Sequence, residues 1–189
     1  MLQGENMKIK SEWIWVNSNN KNIQALVFPK LNRETIKDLF CDWQSLNRKF
    51  KSHGNRGINL HEVISENAIT LCYPDLRRID KLKKERCSFD CLNIKTGSRI
   101  QVKATSITKD LTSFGPNSQW DELFFLDFSD GKNFKVYKIE DDWIYNYYVN
   151  ETQTVKDQQM QGKRPRFSII DKIIKPKNLI PTHIYNLVD

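Results

Sequence analysis

The chain has 189 residues, with 30 lysines and arginines against 23 aspartates and glutamates, a net charge of +7. Hydrophobic residues make up 39% and aromatics 11%, which excludes a disordered chain and fits one compact domain over 1–189, too short for two. No run of about 18 apolar residues occurs, so no membrane span is expected. The polar stretch 1–10 has no signal-peptide core, Met7 offers an alternative start, and a cytoplasmic protein is expected. The basic excess suits a polyanionic partner such as nucleic acid.

In chain order, residues 11–16 and 23–28 are rich in β-branched and aromatic side chains and flank Asn17, Ser18, Asn19, Asn20, Lys21 and Asn22, which predicts an opening β-hairpin ended by Pro29. Residues 33–52 carry Ile36, Leu39, Phe40, Trp43, Leu46 and Phe50 at helical spacing. His53, Gly54, Asn55, Arg56 and Gly57 break that helix. A second is expected over 60–71, capped by Asn59 with Glu62 in the favoured third position. The basic stretch 77–86 reads as a solvated helix face or loop in preference to a DNA-contacting surface. Strand pairs follow at 88–94 with 99–105 and at 122–128 with 134–139, the latter joined by an Asp130-Gly131 turn. The apolar middle of 122–128 predicts a central strand buried on both faces. A capped short helix at 141–144, a polar Gln-rich stretch at 150–163 and a last strand at 167–170 complete the chain. The expected class is therefore α/β (α+β mixed sheet), a central mixed β-sheet flanked by helices.

Cysteines 41, 72, 87 and 91 read as reduced core residues, since Cys87 and Cys91 lack zinc-site spacing and no histidine lies near them. His53, His61 and His183 are scattered and form no HNH nuclease motif.

The chemistry concentrates on 88–105. With the hairpin turn centred between Thr96 and Gly97, Asp90 falls opposite Lys103 and Leu92 opposite Gln101. Alternation along a strand then puts Asp90, Gln101 and Lys103 on one face and Phe89, Cys91, Ile100, Val102 and Ala104 on the other. A carboxylate holds a hard divalent cation, Mg2+, through oxygen. Such a cation lowers the pKa of bound water and neutralises phosphate charge, and a lysine beside it stabilises the transition state. In this arrangement the Val102 carbonyl points to the same metal. Asp, a second oxygen donor, one residue and Lys form the PD-(D/E)xK nuclease pattern. The Gln at 101 departs from it, as a neutral amide is a weaker ligand, so a further acid is sought. Glu66 on the second helix is the candidate, with Glu62 one turn earlier as the alternative. Pro74-Asp75 also matches the motif, but Asp75 reads as a turn residue. The competing reading is an ordinary hairpin surface.

Beyond these residues, the chain resembles the Bsp-six-I family of type II restriction endonucleases. The resemblance rests on RGINLHEVISE (56–66), SFDCLNIKTGSRIQVKATS (88–106), DLTSFGP (110–116), WDELFFLDF (120–128) and QGKRPRFSI (161–169). It implies a prokaryotic enzyme with a restriction-endonuclease-like PD-(D/E)xK core. That enzyme cleaves double-stranded DNA at a short palindrome of the GCNGC type, with Mg2+, as a homodimer. A cognate DNA methyltransferase would accompany it. By residue-wise transfer Asp90, Gln101, Lys103 and Glu66 are catalytic, and Asp90, Gln101, Val102 and Glu66 hold the metal.

An arginine fork fits guanine O6 and N7, so Lys163, Arg164 and Arg166, with Gln158, Gln159 and Gln161 before them, are the candidate base readers or phosphate clamp. Ser106 and Ser113, near the 110–116 loop, are candidate phosphate contacts, and Lys109 and Arg99 weaker ones. Two other readings compete: a structure- or mismatch-directed repair endonuclease, and a non-enzymatic DNA-binding protein.

Overall fold

The computed structural model describes residues 10–18, 21–54, 56–84 and 86–189. The expectations for 1–9, for Asn19 and Asn20 in the first turn, and for Asn55 and Glu85 lie outside these residues. Eight strands form one sheet in the order β1-β2-β3-β4-β5-β7-β8-β10. Its strands are β1 (Glu12–Ser18), β2 (Lys21–Val27), β3 (Leu76–Leu82), β4 (Cys91–Asn93), β5 (Arg99–Thr105), β7 (Glu122–Asp127), β8 (Asn133–Ile139) and β10 (His183–Asn186). β5 and β7 run parallel, whereas the other neighbours are antiparallel. A separate two-stranded ribbon joins β6 (Thr112–Ser113) to β9 (Arg166–Phe167).

Helices α1 (Arg33–His53) and α2 (Glu62–Cys72) cover one face, where Ile36, Phe40, Ile64 and Ala68 pack on Cys91, Ile100, Val102 and Phe124. On the other face α3 (Asp141–Tyr145), α4 (Val155–Met160) and a π-helical turn at Ile170–Ile174 bury Leu123, Phe125, Tyr137 and Ile139. A third cluster, with Val16, Ala25, Ile79, Phe89 and Leu92, seats the opening hairpin. The fold is thus a mixed α/β sheet flanked by helices, as the alternation of elements predicts.

Local chemistry explains the boundaries and the departures. Asn32 caps α1 through its side chain, accepting Thr35 N–H at 2.8 Å. α2 starts later than expected: the His61 ring, not Asn59, accepts Val63 N–H at 3.2 Å, and the Asn59 carbonyl is taken by Trp43 Nε1 at 3.0 Å. Gly57 before it is packed so closely on Asn47 that a Cβ there would collide with the oxygen that accepts Ile58 N–H at 2.9 Å. The basic stretch is not a helix or loop: most of it is β3. There the register against β2 shifts between Leu26 and Val27, so Leu76 and Ile79 are buried three apart and strict alternation is lost.

The 88–94 strand shrinks to Cys91–Asn93 because Asn93 turns the chain early, its Oδ1 accepting from Lys95 N at 3.0 Å and Thr96 N at 3.1 Å. Gly97 closes that turn at φ 76. The expected β7 is confirmed as an interior strand, and Gly131 at φ 77 closes its hairpin with β8. The expected cap of α3 is absent, for Asp141 accepts Trp120 Nε1 at 2.6 Å instead. Residues 150–163 contain α4, started by a Thr154–Asp157 capping box. The last strand pairs over two residues only before the chain coils into the π-helical turn.

Candidate active site

β5 is an interior strand, so the motif lies in the middle of the sheet and not on an edge hairpin. Its pairing with β4 differs from the sequence-based register: Cys91 faces Ile100 and Leu92 faces Arg99, a slip of two residues caused by the early Asn93 turn. A slip of two preserves the face of side chains within the paired strands. Phe89, in the bend before β4, does not share the face of Cys91, Ile100 and Val102 as expected and packs with Leu92 instead. Asp90 now stands beside Gln101, one step before β4, instead of directly opposite Lys103. Its Oδ2 accepts Val102 N–H at 2.7 Å and the Gln101 side-chain amide. The same amide nitrogen lies 3.4 Å from the Val102 carbonyl. Asp90, Gln101 and the Val102 backbone therefore share one small volume.

Lys103 follows on the same face and interacts electrostatically with Asp90. Its pKa is lowered, burial being the largest cause; Asp90 opposes the shift, and Arg164 adds to it. Asp90 is pushed up by burial, against the Val102 hydrogen bond and the Lys103 charge. Glu66 reaches the site from α2. Burial, then the charge of Asp90, raises its pKa to about 7, while Arg78 holds it down. Arg78 on β3 is hydrogen-bonded to Glu66 and lies over the Phe28 ring at 4.4 Å from its centroid. Cys91 Sγ donates to the Glu66 backbone carbonyl at 3.6 Å, tying α2 to the start of β4. Glu62 is exposed and adds a smaller like-charge contribution to both acids.

Asp75, the alternative motif acid, sits in the turn before β3 and pairs with Lys95 at 3.0 Å, apart from this group. Arg78 was missed by sequence reasoning. The signal was its place in a basic stretch, but only the β3–β4 pairing, which sets Arg78 opposite Cys91, brings it to Glu66.

The two loops singled out downstream dock on each other. β6 pairs with β9, Phe114 N–H donates to the Pro165 carbonyl at 3.0 Å, and Gln159 Nε2 donates to the Gly115 carbonyl at 2.6 Å. The Arg164 guanidinium packs against Gly115, where an added Cβ would meet it at 3.6 Å. Lys163, Arg164 and Arg166 are exposed. Gln158 and Gln161 bond to Gln153 and complete the α4 turn. Ser113 Oγ is buried without a hydrogen-bond partner, and Ser106 is half-buried just past β5. Arg99 is held by Asp121 through two side-chain bonds, at 3.1 and 2.7 Å, and Lys109 is exposed.

A helix-flanked mixed sheet with an acid before one strand and a Gln-x-Lys on the next defines a protein of the restriction-endonuclease-like α/β class. The chain belongs to the Bsp6I restriction endonuclease family, whose sequence model matches residues 28–176. It is also 35% identical over 162 residues to the type II restriction enzyme Bsp6I of Bacillus sp. (strain RFL6), covering 82% of this chain and 89% of that one. No solved structure matches it. The chain is accordingly a site-specific deoxyribonuclease of the type II restriction class. Enzymes of this class generally need a divalent metal. Among the described residues, no helix is long and apolar enough to cross a membrane.

Proposed function

We propose that this enzyme hydrolyses both strands of DNA at a short palindrome of the GCNGC type, using Mg2+ and a catalytic group of Asp90, Gln101, Lys103 and Glu66. The observation that carries the reading is the convergence of Asp90, Gln101 and the Val102 backbone beside Lys103, with Glu66 approaching from the facing helix.

The donors available are two carboxylates, an amide and a backbone carbonyl. Among the described residues no group of three or more His, Cys, Asp or Glu side chains forms a metal cluster. An all-oxygen set with only two acids fits a hard cation that keeps several waters, which is the habit of magnesium. When bound there, the cation supplies a more acidic water and charge neutralisation at the scissile phosphate. Asp90, held rigid by Val102 N–H, and Glu66, oriented by Arg78, would hold it, with the Gln101 and Val102 oxygens completing the set. Lys103 would place its ammonium on the attacking water or the developing phosphorane charge.

Arg164, in electrostatic reach of Lys103, would contact a phosphate near the cut. Lys163 in the loop and Arg166 at the start of β9 would read guanine edges, while Ser106 would bond a phosphate. The Ser113 Oγ, expected to do the same, is buried in the ribbon and out of a phosphate's reach. Gln159 would act by holding the 110–116 loop in place. A palindrome cut in both strands calls for a two-fold homodimer, each copy taking one half-site. Such a cytoplasmic prokaryotic enzyme requires a cognate methyltransferase to protect its host. The whole chain, 1–189, would act as one catalytic and DNA-binding domain.

The test is a digest of unmethylated phage DNA with Mg2+ and with EDTA, beside Asp90→Ala and Lys103→Ala. Discrete fragments that need Mg2+ and vanish in both variants, with ends mapping to GCNGC, are expected. Cutting that survives both substitutions would mean the active site lies elsewhere.

A further inference from the structure

Helix α1 has a second apolar stripe that the core does not use. Ile36 and Phe40 are buried, but Leu39, Leu46 and Phe50 are 37%, 47% and 51% exposed. At 100° per residue these three lie within about 40° of one another, on the flank of the helix roughly a quarter turn from its core-facing side. Half-buried Trp43 lies on the border between the two faces. The spacing of Leu39, Trp43, Leu46 and Phe50 is four, three, four, the pattern of a helix–helix seam.

The charges beside the stripe are ordered. Asp38 and Asp42 flank it in the first half of α1, and Lys49 flanks it in the second. All three are exposed, and none takes part in an ion pair among the described residues. Of the positive residues in the first half, Arg33 donates to the Asp189 carbonyl at the chain terminus, and Lys37 stands about 160° around the helix from Leu39 at 100° per residue. An edge that is acidic at one end and basic at the other is complementary to itself when reversed.

We infer that this flank of α1 is a self-association surface, on which a second copy of the chain packs its own α1 antiparallel. About the two-fold axis, Asp42 meets the partner's Lys49 and Lys49 meets the partner's Asp42. Leu46 lies near the axis, and Leu39 packs toward the partner's Phe50. The surface is isologous, as a two-fold pair requires. It deepens the reading of the enzyme as a homodimer, yet its test needs neither DNA nor metal. Three half-exposed apolar side chains fall short of the roughly 800 Å² per partner of a standard interface, so the charged edges matter and the pairing is salt-sensitive.

Sedimentation velocity of the full chain without DNA, at low salt and over a concentration series, tests the inference. The wild type is expected to show a monomer–dimer equilibrium that shifts to monomer at high salt. Leu46→Glu should abolish the dimer. Asp42→Lys should weaken it about tenfold, because two symmetric pairs worth up to about 1 kcal/mol each become repulsive. Asp42→Lys with Lys49→Asp in the same chain should restore it, which no folding defect would mimic. Circular dichroism on each variant checks that α1 remains helical. A wild type that stays monomeric, a dimer indifferent to Leu46→Glu, or a double swap no better than Asp42→Lys alone would overturn the surface. The nuclease reading would stand in each case, since none of these outcomes involves the Asp90 site.

Discussion

The carboxylate of Asp90 accepts the backbone N–H of Val102, the residue between Gln101 and Lys103, at 2.7 Å. This bond fixes the acid to the middle of the motif on the neighbouring strand. It also separates two functions of one side chain. Asp90→Ala removes the charge and leaves the Val102 N–H and the Gln101 amide without their acceptor, whereas Asp90→Asn keeps an oxygen for Val102. Both variants should lose cleavage by about 10²–10³ or more. Only Asp90→Ala should also lose about 1–3 kcal/mol of stability. Single-turnover cleavage beside urea unfolding checks the two arms, and an active Asp90→Asn would remove the acid from the mechanism.

Glu66 gives the metal-free enzyme a pH signature. Its carboxyl, normally near 4.5, is raised to about 7 by burial and by Asp90. An acid raised in the folded state binds its proton more tightly there than in the unfolded chain. Folding is therefore favoured at low pH, and stability falls as pH rises from about 4.5 to about 7, by roughly 3 kcal/mol in all. Denaturant unfolding at pH 5 and pH 8 in EDTA should show this loss, Glu66→Gln should reduce it and leave the part that the raised Asp90 contributes, and a divalent cation should reverse it at pH 8. The cleavage rate should rise over the same window, because a cation needs the ionised form. A pH-independent stability in wild type would contradict the buried acid.

Gln101 is the departure from the nuclease pattern, and Gln101→Glu would restore a carboxylate there. Gln101 is 3% exposed and donates its amide to Asp90. A glutamate would replace that donor with a second negative charge. The metal-free variant should lose about 1–3 kcal/mol, while its affinity for divalent cation should increase. Thermal melts with EDTA and with Mg2+ separate the two: the cation-induced rise in Tm should be larger for Gln101→Glu than for wild type. An equal rise would place Gln101 outside the metal site.

Arg164 and Arg166 are two residues apart but differ in surroundings. Arg164 packs on Gly115 and influences Lys103, whereas Arg166 lies on β9, opposite Ser113. Arg164→Ala should weaken binding to every DNA sequence alike and lower the salt slope by about 1, the mark of a lost phosphate contact. Arg166→Ala should relax discrimination at one base pair by about 1–3 kcal/mol. Binding titrations of cognate and single-substituted duplexes at several salt concentrations test both, and identical behaviour of the two variants would collapse the distinction.

Much of this was legible in the chain. Element types along 33–52 and 122–139 followed from helical spacing and from the Asp130-Gly131 turn. The shared face of Asp90, Gln101 and Lys103 followed from the two-residue period of a strand, which survives the observed slip because two residues make one full period. What failed had local causes. Asn93 began its turn early and moved the register. A shift in the pairing of β2 with β3 hid a strand inside a basic stretch. β10, at His183–Asn186, carries little burial of its own and forms by pairing with β8.

Sequence by itself thus determined which residue types could meet a hard cation and a phosphate, and on which side of one strand pair they stand, because those are matters of periodicity. Only the tertiary structure decided who joins them. Arg78 reaches Glu66, Arg164 comes within range of Lys103, and the 110–116 loop is held by Gln159 and Pro165 across gaps of about 50 residues in the chain. Such meetings depend on how β3, β4 and the β6–β9 ribbon are packed around the sheet, and no local rule of propensity or spacing contains that information.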